Sequence, residues 1–596
     1  VRRYIALWAE LFRMSWRRVP GLTAGALAAL AGQVVTVAAT ALTLRAVVNA
    51  TSRGAVTAAV LSAIGAAVAY ALMLVVQELT DSLILTASDQ VGRLEVHPWV
   101  HRELATLDGL EHLERTDYLD RVTVVRKAGG RLVGGMWSAL RSVSSLLRLV
   151  VTLLLLGSIS PWLLLLLPAA AIPVVCDRRG LRAITHAELA TAEPYRLQQH
   201  LFDLATRPAS GKEIRVSGAA SDIVRRQAAA WDSAMRRRLN AQVVAAAWKL
   251  AGWTLFTAAF IGGLVLVVHR TAQGHGTVGD LVLLVTVAAT FRQTVQSAVD
   301  STTTAAGAGQ YIEPFLWLRE YAAQHSAGRS PREPAPRLTR GIELENVSYT
   351  YPGTDRQALT NISVTLPAGS IVAIVGEYGS GKTTLVKMLC KFYGPDGGHI
   401  LVDGENLDKI DTAAWRARST AAFQDFGRFH TTLANTVGLG DLAHLEDRDR
   451  IADALREAAA DDILEQLPAG LDTLLGRELG GTDLSEGQWQ RSALARASMR
   501  TDPLLFILDE PTASLDAPSE QAIFQRYMKR ARDLATRTGA ITVIVSHRFS
   551  TVTGADLILV LEKGHLSERG THAELMDIGG RYAELYGIQA HAYRAS

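Results

Sequence analysis

Six stretches in the first half of this 596-residue chain are apolar and sparing in charge. They lie near 21–48, 55–79, 134–159, 161–177, 243–269 and 277–305. A hydrocarbon core takes roughly 20 helical residues, so each stretch can cross one. In lipid every backbone N–H and C=O must be bonded internally, which leaves helices as the fold for such runs. The third and fourth are parted only by Ser158-Ile159-Ser160-Pro161, a tight hairpin. Residues 1–19 mix Trp8, Phe12 and Trp16 with Arg2, Arg3, Arg13, Arg17 and Arg18, the pattern of a basic amphipathic helix lying in the interface. Pro20 ends it.

Orientation follows from basic residues in the connections. The loops 80–133 and 178–242 carry Arg115, Arg121, Arg126, Lys127, Arg178, Arg179, Arg182 and Arg236 to Arg238, and the short loops carry few. The long loops and both termini are therefore expected in the cytoplasm. Leu94 to Leu113 and Ala187 to Leu204 keep helical spacing, so the spans are expected to continue as long rods. Arg141, Arg148, Lys249 and Arg292 fall in or near spans, where charge faces a cavity or a partner. A cationic substrate cavity and internal pairing are both open readings. No cleavable signal peptide is expected, since a charged start, short apolar core and small-residue cleavage site do not follow in order. The two cysteines, Cys176 and Cys390, read as buried structural thiols. The net charge of +3 carries no nucleic-acid signature.

Residues 325–340, with Pro331, Pro334 and Pro336, read as an extended linker. The expected organisation is a helical membrane domain at 1–324, this linker, and a soluble α/β domain at 341–596. The soluble part centres on Gly376-Glu377-Tyr378-Gly379-Ser380-Gly381-Lys382-Thr383. The strand-like run Ile371–Val375 precedes this GxxxxGKT sequence and a helix-forming run from Thr384 follows it. Its glycines let successive backbone N–H groups face phosphate oxygens, and the helix start adds partial positive charge. Lys382 suits the β- and γ-phosphates and the Thr383 hydroxyl suits magnesium. Candidate nucleotide contacts are thus Gly376, Gly379, Ser380, Gly381, Lys382, Thr383 and Thr384. Tyr351, before Pro352-Gly353, is placed to stack on a purine. The apolar run Leu504–Leu508 ends in Asp509-Glu510. Asp509 can hold magnesium and Glu510 can polarise the attacking water.

This ordered set resembles the nucleotide-binding domain of ATP-binding cassette (ABC) transporters. It comprises Tyr351, the phosphate loop, Phe423-Gln424-Asp425, Leu484-Ser485-Glu486-Gly487-Gln488, Asp509-Glu510, Ser514-Leu515-Asp516 and Ser546-His547-Arg548. With six preceding spans the resemblance covers the chain. It implies ATP and Mg2+ as cofactors. Gln424 would contact the metal and the water, and His547 the γ-phosphate. Ser485, Gly487 and Gln488 would reach a nucleotide held by another subunit, and Asp516 that subunit's phosphate loop. The tips near Asp117 and Lys212 resemble coupling helices. It also implies half of an exporter, a P-loop ATPase driving alternating access as a dimer in the cytoplasmic membrane. A homodimer is favoured and a heterodimer is the alternative. An importer of exporter-like architecture, or an ATP-gated channel or regulatory ATPase, are the competing functions. The substrate is expected to be a peptide, a lipid or an amphipathic small molecule; no leader-peptide cleavage by this chain is expected. One departure stands out. The family's usual signature is LSGGQ, and Glu486 replaces its first glycine. Either the position tolerates a carboxylate, or the shared site is weakened, as in a heterodimer with one degenerate site.

Overall fold

The computed structural model describes the chain apart from residues 1, 127, 158–165, 274–277, 326–331, 512–516, 548–551 and 596. It packs as two units: Val1–Leu104 with Arg121–Glu320, and Ala105–Asp120 with Tyr321–Ser596.

The first unit is helical. The amphipathic segment is the helix Arg2–Arg18, which buries Leu7, Leu11 and Ser15 at four-residue spacing. Arg319 donates to Glu10 at 2.7 Å and holds that helix in place. The next helix, Pro20–Ser52, opens on its proline, where a missing N–H has no intrahelical partner to lose. Helix Val56–Val91 runs through one π-helical turn, Gly92–Val96, into His97–Ala105. That turn crosses the start of helix Gly129–Gly157. A Cβ on Gly92 would lie 2.6 Å from the Gly130 nitrogen, so the crossing admits no side chain. Helix Ala220–Ala272 has 53 residues. At 1.5 Å per residue it is about 80 Å long, more than twice the hydrocarbon thickness. The expected rods are present in part: the first ends at Ala105, short of Leu113, and the second is interrupted at Thr191 between helices Leu166–Ala190 and Ala192–Thr206.

Four described helices are long and apolar enough to cross a membrane: Pro20–Ser52, Val56–Ala105, Gly129–Leu155 and Ala220–Leu266. The fourth expected span starts within 158–165, outside the described residues, and continues in helix Leu166–Ala190. The sixth starts at 277, also outside them, and continues in Val278–Gly307. Of the ionisable groups in or near spans, Arg141 pairs with Asp81 at 2.9 Å, and buried Arg148 donates to Ser145 Oγ at 3.0 Å. Lys249 is exposed, and the side chain of Arg292 is outside the described residues. Internal pairing is therefore the finding for Arg141. Cys176 and Cys390 are both buried and free, and burial pushes the Cys390 thiol up to about 12.

The second unit is α/β. Its strands are β1 (Gly341–Thr350), β2 (Gln357–Pro367), β3 (Ile371–Gly376), β4 (Gly397–Val402), β5 (Glu405–Asn406), β6 (Ser419–Ala422), β7 (Leu505–Asp509), β8 (Ile541–Val545), β9 (Leu557–Glu562) and β10 (His565–Gly570). One antiparallel sheet has the order β2-β1-β4-β5. The other has the order β10-β9-β3-β8-β7-β6 and is parallel except for β10. Both faces of this sheet are covered, which is why β3 and β7 read as unbroken apolar runs. Ile371, Ala373 and Val375 enter one core with Phe506 and Leu508. Val372 and Ile374 enter the other with Leu505 and Ile507.

This unit also takes in the tip of the first long loop. Leu110 N–H donates to the Phe392 carbonyl at 3.2 Å. Arg416 Nη1 donates to Asp108 at 3.3 Å, and the Tyr393 hydroxyl donates to Glu114. The expected turn helix at Glu114 is a 3-10 turn, Glu111–Glu114, followed by a helix from Thr116.

Candidate active site

Strand order assembles the site. β3, β8, β7 and β6 are parallel neighbours, so the segments that follow them emerge at one edge. These are the phosphate loop, His547, Asp509-Glu510 and Gln424. The carboxyl edge of such a sheet is where α/β folds place ligands.

The phosphate loop is shaped by close approach. Gly376 (φ 148°) and Gly381 (φ 101°) both adopt positive φ. A Cβ on Gly376 would lie 2.2 Å from the Leu561 carbonyl, and one on Gly381 would lie 2.7 Å from that of Ala358. Gly381 then caps helix Lys382–Leu389. Lys382 Nζ donates to the Gly376 and Glu377 carbonyls at 2.9 and 2.8 Å, which holds the ammonium across the mouth of its own loop. Burial lowers the Lys382 pKa, and Glu510 and Asp509 oppose that shift. The Ser380 hydroxyl is buried with no hydrogen-bond partner among the described residues. The Thr384 hydroxyl is paired with Tyr351 at 2.9 Å. Tyr351 packs edge-on against Tyr349 and Tyr393, with centroids 5.1 and 5.6 Å away.

Asp509 closes β7 and is 1% exposed, and among the described residues the Thr383 hydroxyl is the group that bears on its carboxylate by hydrogen bonding. Burial, and then the adjacent Glu510, raise its pKa to about 6, with the Thr383 hydroxyl and Lys382 acting the other way. A buried carboxylate beside the Thr383 hydroxyl is a donor set that fits a hard divalent cation, which uses one or two carboxylates and takes its remaining oxygens from phosphate and water. Asp509, Thr383 and the Gln424 side-chain oxygen are the groups that would hold Mg2+.

Glu510 is the hub. Its backbone is held at φ 48°, an unusual conformation for a non-glycine residue. Its carboxylate accepts from Gln424 Nε2 at 2.8 Å and lies 3.3 Å from His547 Nδ1. Its N–H donates to the Val545 carbonyl at 3.0 Å, and its own carbonyl accepts from Gln490 Nε2 at 3.2 Å. A buried carboxylate flanked by an amide and an imidazole can take a proton from water next to a phosphate.

Ser485 caps helix Glu486–Ser498 in a reciprocal box with Gln488. Its side chain accepts from Gln488 N, and Gln488 Oε1 accepts from Ser485 N at 2.9 Å. Among the described residues, no hydrogen bond joins Ser485, Gly487 or Gln488 to the phosphate loop. Glu486 is paired with Arg428. Asp516, with Ser514 and Leu515, lies outside the described residues, as does Arg548.

Some residues at the site carry no signal in the sequence. Arg581 pairs with Glu377 in the phosphate loop, and Gln589 Nε2 donates to the His547 carbonyl at 2.5 Å. Both come from the terminal helix Arg581–Ala595. Only Gln490, inside the run Gly487–Arg491, had a motif beside it.

A family model described as ABC transporter matches residues 359–513, from β2 to just past Glu510. The chain is 37% identical to a protein of Aromatoleum aromaticum named ATP-dependent lipid A-core flippase, over 55% of this chain and 52% of that one. A protein of the same name from Pseudomonas fluorescens is 38% identical over 54% of this chain and 52% of that one. The match thus spans about half the length of these curated relatives. Among solved structures, that of a bacterial Atm1-family ABC exporter with ATP bound is similar with a TM-score of 0.77 and 26% identity, over 96% of this chain and 99% of that one. Residues 359–513 thus match the ABC transporter family, and the chain as a whole is similar in fold to an exporter that joins a helical domain to an ABC nucleotide-binding domain.

Proposed function

We propose that the chain exports a substrate across the cytoplasmic membrane by alternating access, driven by ATP hydrolysis in a dimer. The observation that carries this reading is the Gln424–Glu510–His547 cluster beside the phosphate loop, at the edge of four parallel strands. The relatives named as a flippase and as an exporter favour export over import.

Lys382 would leave the Gly376 and Glu377 carbonyls for the β- and γ-phosphates, which the loop amides cradle. Mg2+ held by Thr383, Asp509 and Gln424 would neutralise phosphate charge. Glu510 would accept a proton as water attacks the γ-phosphorus, with Gln424 and His547 fixing that water and the carboxylate. Tyr351 would bear on the base and Thr384 on the phosphates. Ser485, Gly487 and Gln488 would face the nucleotide of a second half-transporter, with Asp516 near its phosphate loop. That Ser485 and Gln488 bond each other, and among the described residues not the chain's own phosphate loop, supports a shared site. The cation beside Glu486 supports a homodimer, since the carboxylate is not bare. The tip at Ala105–Asp120 would carry domain closure to the spans. Both termini and the nucleotide-binding domain would be cytoplasmic, with 325–340 as the linker between domains 1–324 and 341–596. A lipid, a peptide or an amphipathic small molecule fits as substrate.

Glu510→Gln tests the reading. It should bind ATP, stop steady hydrolysis and accumulate ATP-closed dimers. Hydrolysis at the parent rate would remove Glu510 as the base. ATP-dependent uptake into inside-out vesicles supports export, and uptake confined to right-side-out vesicles refutes it.

A further inference from the structure

We infer that Arg428 and Glu486 form a positioning pair that ties the loop carrying Gln424 to the helix that starts at the signature. Glu486 is then a working part of the ATP site and not a defect in it. This rests on the nucleotide reading above.

The tie has three points along one helix. Glu486 is the first residue of helix Glu486–Ser498, where a negative charge is favoured by the helix dipole. Its carboxylate accepts from Arg428 Nη2. One turn on, buried Trp489 lies against His430, with ring centroids 6.0 Å apart. Further along, the Arg496 guanidinium sits 4.5 Å over the Phe429 ring and donates to the Gly427 carbonyl at 3.2 Å. The segment Gly427–His430 is therefore laid along the helix from its first turn to its third. Gln424 lies just upstream and reaches the Glu510 carboxylate, while Gln490 on the helix reaches the Glu510 carbonyl. Loop and helix thus bear on the same residue from two sides. Removing Glu486 frees the end of the loop strap at the helix start and leaves Arg428 without its counter-charge. Both side chains are about half exposed, so the pair adds little to folding stability and its effect falls on position.

The test uses the full chain reconstituted in lipid. Glu486→Gly, Arg428→Glu, Glu486→Arg and the charge-swapped double variant are compared with the parent. Each single variant should lower kcat for ATP roughly three- to fivefold, about the factor an exposed pair can supply, with KM changed less than about twofold. The swap should regain at least half of the parent kcat. Hydrogen exchange in nucleotide-free protein should rise at 424–430 in the single variants and return in the swap, with the thermal midpoint unmoved. Glu486→Gly that matches or exceeds the parent in kcat, or a swap no better than either single variant, overturns the tie. So does unchanged exchange at 424–430. A parent that neither binds nor hydrolyses ATP, while the exchange response is present, overturns the nucleotide reading and leaves the tie standing.

Discussion

Asp509 holds a charge that the metal-free fold resists, and Asp509→Asn measures the cost. In the folded chain its pKa is raised to about 6 from an ordinary 3.8, mainly by burial and secondly by Glu510. Between those two pH values the folded state binds more protons than the unfolded one, so stability falls as pH rises through the window. Above about pH 6 the loss is complete. A displacement of about two pH units, at roughly 1.4 kcal/mol each, makes it about 3 kcal/mol. Asparagine keeps the shape and never ionises. Asp509→Asn should therefore show no pH-dependent gain over the parent near pH 4, an advantage that grows to about pH 6, and a plateau of about 3 kcal/mol beyond. For a domain of this size that corresponds to a rise of several °C in the thermal midpoint. The assay is thermal unfolding of the full chain in detergent without Mg2+, at a series of pH values. Any fixed offset from the unpaired amide drops out, because only the pH-dependent part is compared. Glu510→Gln removes the second cause and should lower the upper edge of the window. With Mg2+ and ATP added, the parent should recover its deficit while Asp509→Asn should not gain. An advantage independent of pH, or one that grows as pH falls, would refute the account of Asp509 as a carboxylate whose charge is opposed by burial.

Two further changes probe the loop and the tip. Gly381→Ala places a Cβ 2.7 Å from the Ala358 carbonyl at φ 101°, so the loop must shift; a strain of about 1–3 kcal/mol should appear as weakened ATP binding by fluorescence titration, and parent-like affinity would contradict it. Tyr393→Phe removes the hydroxyl that reaches Glu114 and keeps the ring against Tyr349 and Tyr351. ATPase activity should hold within about twofold while ATP-driven distance changes between spin labels in the membrane unit shrink, and an equal loss in both would rule out a coupling role.

What could be read from sequence was what is local in sequence. The apolar runs had to be helices because lipid offers the backbone no partners; Pro20–Ser52 encloses the stretch expected at 21–48, and Val56–Val91 covers all but the first residue of that expected at 55–79. β3 and β7 were legible because a strand buried on both faces leaves an unbroken apolar run. The phosphate loop was legible because Gly376 and Gly381 are forced by carbonyls that come within 3 Å of where a side chain would sit, and Gly379 by its φ of 73°. The tip that joins the second unit was not legible in that way. Glu114 and Tyr393 are 279 residues apart, and neither residue type marks a contact by itself.

Glu486 shows why a motif departure cannot be judged where it occurs. Read within Leu484–Gln488 alone, it is a carboxylate in place of a glycine, close to where a phosphate is expected. The residue that decides its meaning is Arg428, 58 positions earlier, in the loop that follows Gln424. With that guanidinium in place the local charge is balanced, and the carboxylate acquires a task a glycine could not perform. The same logic applies to Gln589, whose amide reaches the carbonyl of His547 from the last helix of the chain. A motif lists groups expected to touch the ligand, but the geometry at Glu510 also depends on what fixes those groups, and those partners are chosen by the fold. A change at Arg428 should therefore read as a change in the signature itself, although it lies in another segment.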